Sequence, residues 1–229
     1  MRRYAIYAVP GAGENDAIAA LQLKAAVDAW FARDDLQGLT RDARRYGCHA
    51  TLVAPFHLAA AHTEVELQAA AAAFVAGRAP VMIHGPRPAA LGGFRVLLPS
   101  GDHDGLNALA AAAVRQFDGF RAPLNEADVR RRRVERLTSR QRELFDRWGY
   151  PHVLDEFRFH LTLTDVVPAE RAATVDAAAA QHFAGVAGFD VPLAGITISV
   201  EPEPGAAFEI LSVHPFAYSF AYSFALETA

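Results

Sequence analysis

The pattern His-x-Thr-Leu occurs twice in the sequence, as His49-Ala-Thr-Leu52 and as His160-Leu-Thr-Leu163. Apolar and aromatic residues surround both copies, which predicts a β-strand for each. Side chains two residues apart on a strand share a face, so each histidine projects together with its threonine while the intervening residues turn towards the core. Two copies that each place an imidazole beside a hydroxyl indicate a functional site.

The chain after each histidine follows the same order, a helix and then two strands. The first of these strands contains Val81 in one case and Val191 in the other, 32 and 31 residues after the respective histidine. The second strands open at Phe94 and Phe208, at offsets of 45 and 48 residues. This agreement predicts an internal duplication and hence two related lobes.

Helices mixed with strands and short turns predict an α+β fold. We expect a single two-lobed domain over residues 1–229, with lobe one at about 1–120 and lobe two at about 121–229. Two pseudo-symmetric lobes with mostly antiparallel sheets would face a central cleft. The two His-Thr faces would then meet across that cleft.

Local patterns predict the remaining elements. The strands expected are 3–9, 46–53, 80–84, 94–98, 190–200 and 208–213, with Pro55 halting the second. The helices expected are one capped by Asp16 that ends at about Phe31, one opened by a Thr63–Glu66 capping box, and one between Pro168 and about Phe183. A repeated Phe-Ala-Tyr-Ser at 216–219 and 220–223 fits either a strand or a frayed tail.

The composition is that of an ordinary folded protein, with 52% hydrophobic and 21% charged residues. The net charge of −4 argues against a general nucleic-acid binder, DNA included, because such domains are usually basic. A single cysteine, Cys48, excludes an intrachain disulfide and fits a reducing compartment, so we expect a cytoplasmic protein. No apolar run approaches the roughly 20 residues of a membrane span, and no secretory signal is expected.

Basic residues concentrate in one segment. Of the 22 basic residues only Lys24 is a lysine, and eight arginines lie between Asn125 and Tyr150, which is predicted to form one helix. An apolar stripe would pack on the core and leave most of these arginines in solvent. Acidic residues such as Glu143 and Asp146 balance part of the charge, which favours a solvated face over an RNA-binding face.

Paired histidines across a cleft suit the hydrolysis of a phosphodiester. In-line attack needs a base for the attacking hydroxyl or water and an acid for the leaving oxygen. Imidazole, with an ordinary pKa of about 6.5, serves in either role near neutral pH. We therefore predict His49 and His160 as catalytic residues, with Thr51 and Thr162 donating hydrogen bonds to the phosphoryl oxygens.

A cation is also predicted for this site. Arg158 lies two residues before His160, so strand alternation places it on the same face, where a guanidinium would neutralise phosphate. The alternative is an exposed arginine at the end of the strand.

Two other kinds of site are disfavoured. A metal site built on His49, His57 and His62 lacks a carboxylate at a familiar ligand spacing. Cys48 is not expected to act as a nucleophile, because strand neighbours face opposite ways and His49 is then poorly placed as its base. We expect a buried, inert cysteine and neither a metal nor another cofactor.

At these motifs the sequence resembles the two-histidine (2H) phosphoesterase superfamily, which includes the RNA 2',3'-cyclic phosphodiesterases and shares a paired His-x-[Ser/Thr]-hydrophobic pattern. More narrowly, the sequence is similar to the DUF1045 branch, which is associated with phosphonate-utilisation operons. The likeness spans nearly the whole chain and is carried by residues 3–7, 46–56, 120–123, 148–151 and 157–164.

The resemblance implies a bilobal fold with helices outside the sheets, the two His-Thr pairs as the active site, and no metal. Members of this branch often have a lysine where this chain has Val53 and a phenylalanine where it has Cys48. Position 53 is expected to share the face of His49 and Thr51. A cation that helps to hold phosphate would therefore be absent from this chain.

Two functions are consistent with these features. The first is a metal-independent hydrolase that cleaves a cyclic or small phosphodiester, such as a cyclic nucleotide or a sugar phosphate, in phosphonate metabolism. An RNA end is a second class of substrate. The alternative is a degenerate 2H fold that binds a phosphorylated ligand or RNA without turnover.

Overall fold

Antiparallel sheets flanked by helices form the chain, in a computed structural model that describes residues 2–131 and 134–217. The strands are β1 (Arg3–Ala8), β2 (Ala50–Phe56), β3 (Val81–Ile83), β4 (Arg87–Leu91), β5 (Phe94–Leu98), β6 (Leu161–Thr162), β7 (Val191–Leu193), β8 (Gly195–Glu201) and β9 (Glu209–Pro215). The helices are α1 (Ile18–Phe31), α2 (Ala43–Tyr46), α3 (Glu64–Val75), α4 (Asp104–Phe117), α5 (Glu126–Arg131), α6 (Ser139–Trp148) and α7 (Ala172–His182).

Three antiparallel sheets organise these strands. The largest has four strands in the order β2-β1-β8-β9, a second has the order β4-β5-β6, and β3 pairs with β7. The two larger sheets each end in a strand that carries a His-x-Thr motif. The predicted α+β fold with antiparallel sheets is confirmed.

The sheets do not follow the expected division of the chain near residue 120. The four-stranded sheet joins β1 and β2 to β8 and β9, and the three-stranded sheet joins β4 and β5 to β6. Each sheet therefore contains strands from both halves of the sequence. The description of the chain as one two-lobed domain stays a prediction, but its lobes are not the consecutive segments 1–120 and 121–229.

Strand β1 is the central element of the larger sheet, and both of its faces are buried. Tyr4, Ile6 and Ala8 pack in the main core, whereas Ala5 and Tyr7 face the other way. Strand β8 alternates in the same manner, with Ile196, Ile198 and Val200 in the core and three buried polar residues, Thr197, Ser199 and Glu201, on the opposite face. This sheet thus has an apolar outer face and a polar inner face.

Helices cover the apolar faces of the sheets. Helix α3 contacts β8 and β9, α4 contacts β2 and β3, and α7 contacts β4. Burial of these apolar faces is the main source of stability for such a layered fold. No helix among the described residues is long and apolar enough to cross a bilayer.

Trp30 links the core directly to the second His-Thr motif. Its side chain, on α1, has no solvent exposure, and its indole Nε1–H donates a hydrogen bond of 2.8 Å to the backbone oxygen of Leu163. Phe183 packs against the same indole ring. The position of the segment after His160 is therefore fixed by a buried hydrogen bond from a helix of the first half.

The structure confirms some of the predicted element ends and corrects others. Thr63 and Glu66 form the predicted capping box of α3. Asp16 does not cap α1, because its carboxylate instead accepts a hydrogen bond from the backbone N–H of Gly13. Pro55 does not end β2, which is an edge strand and so can accommodate a residue without an N–H.

Other elements differ from their predicted bounds, because the ends of a strand depend on pairing strands that are distant in sequence. The region 190–200 holds two strands that belong to different sheets, β7 and β8. The loop between the predicted strands 80–84 and 94–98 contains β4, which forms a hairpin with β5. Helix α4 was absent from the predictions. The first His-Thr strand begins at Ala50, because Tyr46 closes α2 and Gly47 follows with φ of +68°.

The arginine-rich segment is not one helix. A capping box between Thr138 and Gln141 opens α6 and separates it from α5. Acidic residues pair with most of the described arginines, including Arg140 with Asp155 and Arg142 with Asp146. These pairs are consistent with a solvated, charge-balanced face. Residues 132 and 133, and the tail repeat from residue 218 onward, lie outside the described residues.

We predict that Trp30→Phe lowers the free energy of unfolding by about 2 kcal/mol, because it removes the indole donor and leaves the buried oxygen of Leu163 without its partner. Urea unfolding measures this change. Trp148→Phe makes the same substitution at a half-buried position and is expected to cost under about 1 kcal/mol. Equal losses in the two variants would contradict the role assigned to Trp30.

Candidate active site

A cavity of about 280 Å³ opens on the polar face of the four-stranded sheet. It brings together four of the five predicted site residues, His49, Thr51, His160 and Thr162. The other residues that line it are Arg3, Tyr7, Asp42, Ala43, Tyr46, Ala54, Pro55, Phe94, Tyr150, Thr164 and Asp165. The two motifs, more than a hundred residues apart in sequence, therefore share one cavity.

Both cavity histidines are held in the same way. The Nδ1 atom of His49 lies 3.0 Å from the backbone oxygen of Gly47, and Nδ1 of His160 lies 2.8 Å from that of Arg158. A carbonyl oxygen can only accept, so each neutral ring carries its proton on Nδ1 and leaves Nε2 with a free lone pair. Each histidine also stands one residue before its strand.

Burial makes the two imidazoles unequal. The pKa of His49 falls from 6.5 to about 4, chiefly because burial disfavours the charged ring, and proximity to His160 lowers it further. Burial also lowers the pKa of His160, although its ring is less enclosed. Both rings are therefore neutral at pH 7 before any ligand binds.

Aromatic rings fix the orientation of His49. Tyr46 stacks on the imidazole with ring centroids 5.5 Å apart. The ring of Tyr7 is tilted relative to the imidazole, and the two ring centroids are 4.4 Å apart. Phe208 in turn stacks on Tyr46 at 4.9 Å. These contacts, together with the hydrogen bond to Gly47, leave the imidazole little freedom to rotate.

The structure does not place the side chain of Arg158 among the residues that line the cavity. Its side chain is exposed and does not line the cavity, and only its backbone oxygen takes part by orienting His160. Strand alternation does not extend to this residue, because β6 begins only at Leu161.

The cation that lines the cavity is Arg3. Its Nε–H donates to the carboxylate of Glu201 at 2.5 Å, and Arg45 donates to the other carboxylate oxygen at 3.2 Å. Glu201 is fully buried between the two guanidinium groups. Burial alone would raise its pKa, but the hydrogen bonds from Arg3 and the Gly205 amide, with the charge of Arg45, lower it overall, so the carboxylate stays ionised.

Val53 does not share the face of His49 and Thr51, contrary to the prediction from strand alternation. It packs against the apolar core, outside the cavity that contains His49 and Thr51. The register between β1 and β2 shifts twice in this region, where Tyr7 pairs with Thr51 but Ile6 pairs with Val53. Such an irregularity interrupts the alternation of side chains along the strand. Val53 itself is therefore not part of the cavity lining.

Cys48 is buried, as predicted, and burial raises the pKa of its thiol to about 12. A thiol with such a pKa carries almost no thiolate at neutral pH and is a poor nucleophile. Among the described residues, His57 and His62 do not join His49 in any group of potential metal ligands.

Asp165 ties the two motifs together. Its carboxylate accepts hydrogen bonds from the backbone N–H groups of Asp42 and Ala43, at 2.8 to 3.1 Å. Those residues begin α2, which ends at Tyr46 beside His49. A residue two positions after the second motif thus holds the helix that precedes the first. Sequence patterns gave no indication of this contact.

Comparison with known proteins identifies the family. The model of the family described as "Protein of unknown function (DUF1045)" matches residues 51–209. The chain belongs to the DUF1045 family. The resemblance of the sequence motifs to the DUF1045 branch is thereby confirmed. The matched residues of this DUF1045 chain include the whole of the second His-x-Thr-Leu motif.

Two curated relatives are both named "Ribose 1,5-bisphosphate phosphokinase PhnN". The protein of Janthinobacterium sp. (strain Marseille) is 41% identical over 80% of this chain and 41% of its own length. That of Laribacter hongkongensis (strain HLHK9) is 38% identical over 73% of this chain and 38% of its own length. The DUF1045 chain therefore spans about two fifths of the relatives it matches.

A solved structure shares the fold. TT0787 of Thermus thermophilus is similar with a TM-score of 0.50 and 15% identity, over 94% of this chain and 98% of that one. The DUF1045 chain thus shares with TT0787 a fold of antiparallel sheets flanked by helices.

The lowered pKa of His49 makes stability depend on pH. Between about pH 6.5 and about pH 4 the unfolded chain binds a proton on this ring and the folded chain does not, so stability falls as the pH falls through this window. Between pH 7 and pH 4, protonation linked to His49 should lower the free energy of unfolding by on the order of 3 kcal/mol. We expect this decrease to be absent in His49→Gln. Denaturant unfolding across this range measures it.

The control for this prediction is His57→Gln, which changes a histidine outside the cavity. In that variant, the free energy of unfolding is expected to change with pH as it does in the wild-type protein. If His49→Gln followed the same pH dependence as the wild type, burial of the His49 ring would not be the cause of the loss of stability at low pH.

Proposed function

We propose that this chain is a metal-independent phosphoesterase that hydrolyses a cyclic or small phosphodiester with its two cavity histidines as base and acid. The observation that carries the proposal is the matched orientation of His49 and His160. Both rings line one cavity and both use Nδ1 to hold a backbone oxygen, so both have Nε2 available for proton transfer.

The unequal burial of the two rings supports an assignment of roles. Nε2 of His49, the neutral and more buried ring, removes a proton from a water molecule as its oxygen attacks phosphorus. The bond from phosphorus to the ester oxygen breaks, and that oxygen takes a proton from Nε2 of His160. The bound phosphate anion raises the pKa of His160 and so favours its protonated form. A proton transfer from His49 to His160 completes the cycle.

The two threonines would stabilise the charge on the phosphoryl group. Thr51 and Thr162 line the cavity two residues after the respective histidine. Their hydroxyls can donate to the two non-bridging oxygens while the imidazoles lie on the attacking and leaving sides. Arg3 adds a positive charge at the same cavity.

A ribose phosphate ester is the substrate class that the relatives' names favour. Those relatives are named as kinases of ribose 1,5-bisphosphate, yet this chain matches only two fifths of each. Its one lysine, Lys24, follows Leu23, so the sequence contains no Gly-Lys-[Ser/Thr] phosphate-binding loop of the kind kinases use. We therefore propose hydrolysis of a cyclic ribose phosphate, in phosphonate metabolism, as the reaction of this chain.

We predict that the protein hydrolyses 2',3'-cyclic nucleotides or ribose cyclic phosphates in the presence of a chelator. His49→Ala and His160→Ala should each lower kcat by about 100- to 10,000-fold, because each removes one partner of the proton transfers. Product release followed by phosphorus NMR measures the rate.

His57→Ala is the matched control, since it removes an imidazole whose Nδ1 also contacts a backbone oxygen but which lies outside the cavity. It should retain the wild-type rate. Loss of activity in chelator, or full activity in either cavity variant, would contradict the mechanism. Tight binding of the phosphate ester without turnover would instead support the non-catalytic alternative.

The assignment of acid and base leads to a second prediction. A 4-nitrophenyl phosphodiester releases 4-nitrophenolate, which leaves without a proton. We expect His160→Ala to lose far less activity on this ester than on a cyclic nucleotide, and His49→Ala to lose activity on both. Relative rates of the two variants on the two substrates give the test. The reverse pattern would show that His160 is the base.

A further inference from the structure

The hydroxyl group of Tyr7 is buried without a hydrogen-bond partner. The Tyr7 side chain is 1% exposed, and its oxygen contacts no donor or acceptor among residues 2–131 and 134–217. Buried hydroxyls are almost always hydrogen-bonded, because removal from water without a replacement partner is unfavourable. This exception lies in the lining of the cavity that contains both histidines.

The neighbours of Tyr7 place it at the centre of the predicted phosphate site. It is the cross-strand partner of Thr51 on β2 and of Thr197 on β8. Residues paired across strands project on the same face with Cβ atoms about 5 Å apart. The Tyr7 ring also lies 4.4 Å from that of His49. Its hydroxyl therefore belongs to the same face as an imidazole and a threonine of the first motif.

Two rings pack against the side chain of Tyr7. His49 lies against one part of the ring, and Phe208 lies 5.8 Å away. Burial raises the pKa of the phenol well above 10, so the group is a hydrogen-bond donor throughout the physiological range and does not transfer its proton. A fixed donor of this kind suits an anionic acceptor.

We propose that Tyr7 is a phosphate-binding residue whose hydroxyl donates a hydrogen bond to a non-bridging oxygen of the phosphoryl group between His49 and His160. The inference rests on the proposed phosphoesterase site and adds a third donor to those of Thr51 and Thr162. Tyr7 orients and stabilises the phosphoryl group, while proton transfer stays with the histidines.

Tyr4 provides a matched control on the same strand. It faces the opposite side of β1, and its hydroxyl donates a hydrogen bond of 2.9 Å to Glu64. Replacement of either tyrosine by phenylalanine removes one oxygen atom. Tyr4→Phe removes a bond that the resting protein makes, whereas Tyr7→Phe removes a group that has no bond until a ligand arrives.

The test is calorimetric titration of inorganic phosphate into the wild-type protein, Tyr7→Phe and Tyr4→Phe at pH 7, with melting temperatures of all three. We expect Tyr7→Phe to bind phosphate about 10- to 100-fold more weakly, the effect of losing a hydrogen bond to a charged group. Its melting temperature should equal or exceed that of the wild type. Tyr4→Phe should bind phosphate normally and melt at a lower temperature.

The proposal is overturned if Tyr7→Phe binds phosphate as the wild type does, or if the wild type binds none. It is also overturned if Tyr7→Phe fails to fold, because a hydroxyl without a partner in the resting protein cannot be required for folding. Hydrolysis assays separate this outcome from the proposed function. Tyr7-dependent phosphate binding without any hydrolysis would remove the proposed reaction and leave this inference standing.

Discussion

The pairing of β1 with both β2 and β8 is the constraint on which the cavity depends. It joins a strand at the start of the chain to one nearly two hundred residues later, so that Tyr7 lies between Thr51 and Thr197. The outer face of this sheet is apolar and supports the helices, and the burial of that face stabilises the arrangement. Its inner face is left free to carry polar groups.

The polar inner face explains why this region can serve phosphate chemistry. Buried polar groups are tolerated where they have partners, and Glu201 has two arginines. The histidines have backbone oxygens, which also set their tautomers. Tyr7 is the member of this face whose hydroxyl has no partner among the described residues. A ligand that accepts hydrogen bonds would give the Tyr7 hydroxyl the partner that it lacks among the described residues.

Much of this site could be predicted from the sequence, because the information is local. The alternation of side chains in His-x-Thr is a property of three consecutive residues, and both motifs do line one cavity. The same rule failed at Val53, where the register between β1 and β2 shifts, and at Arg158, which precedes its strand. Alternation holds only while a strand is regular and paired.

The remaining features depend on contacts that no local pattern reveals. Aromatic residues of a first strand such as Tyr7 are more often core than cleft-lining, and nothing local assigns Arg3 to the site until β8 and β2 are placed on either side of β1. The division of the chain near residue 120 was wrong for the same reason, since the sheets exchange strands between the two halves. The contact of the Asp165 carboxylate with the start of α2 likewise joins residues more than a hundred positions apart in sequence.

The proposed chemistry requires His49 and His160 to be held as the same tautomer, with the proton on Nδ1 and Nε2 unprotonated in one shared cavity. Ring nitrogen chemical shifts, measured by two-dimensional ¹⁵N NMR at pH 7, report this directly. We expect a protonated Nδ1 and an unprotonated Nε2 in both rings, with both Nε2 signals shifting when phosphate is added. A proton on Nε2 of either ring in the free protein would contradict it.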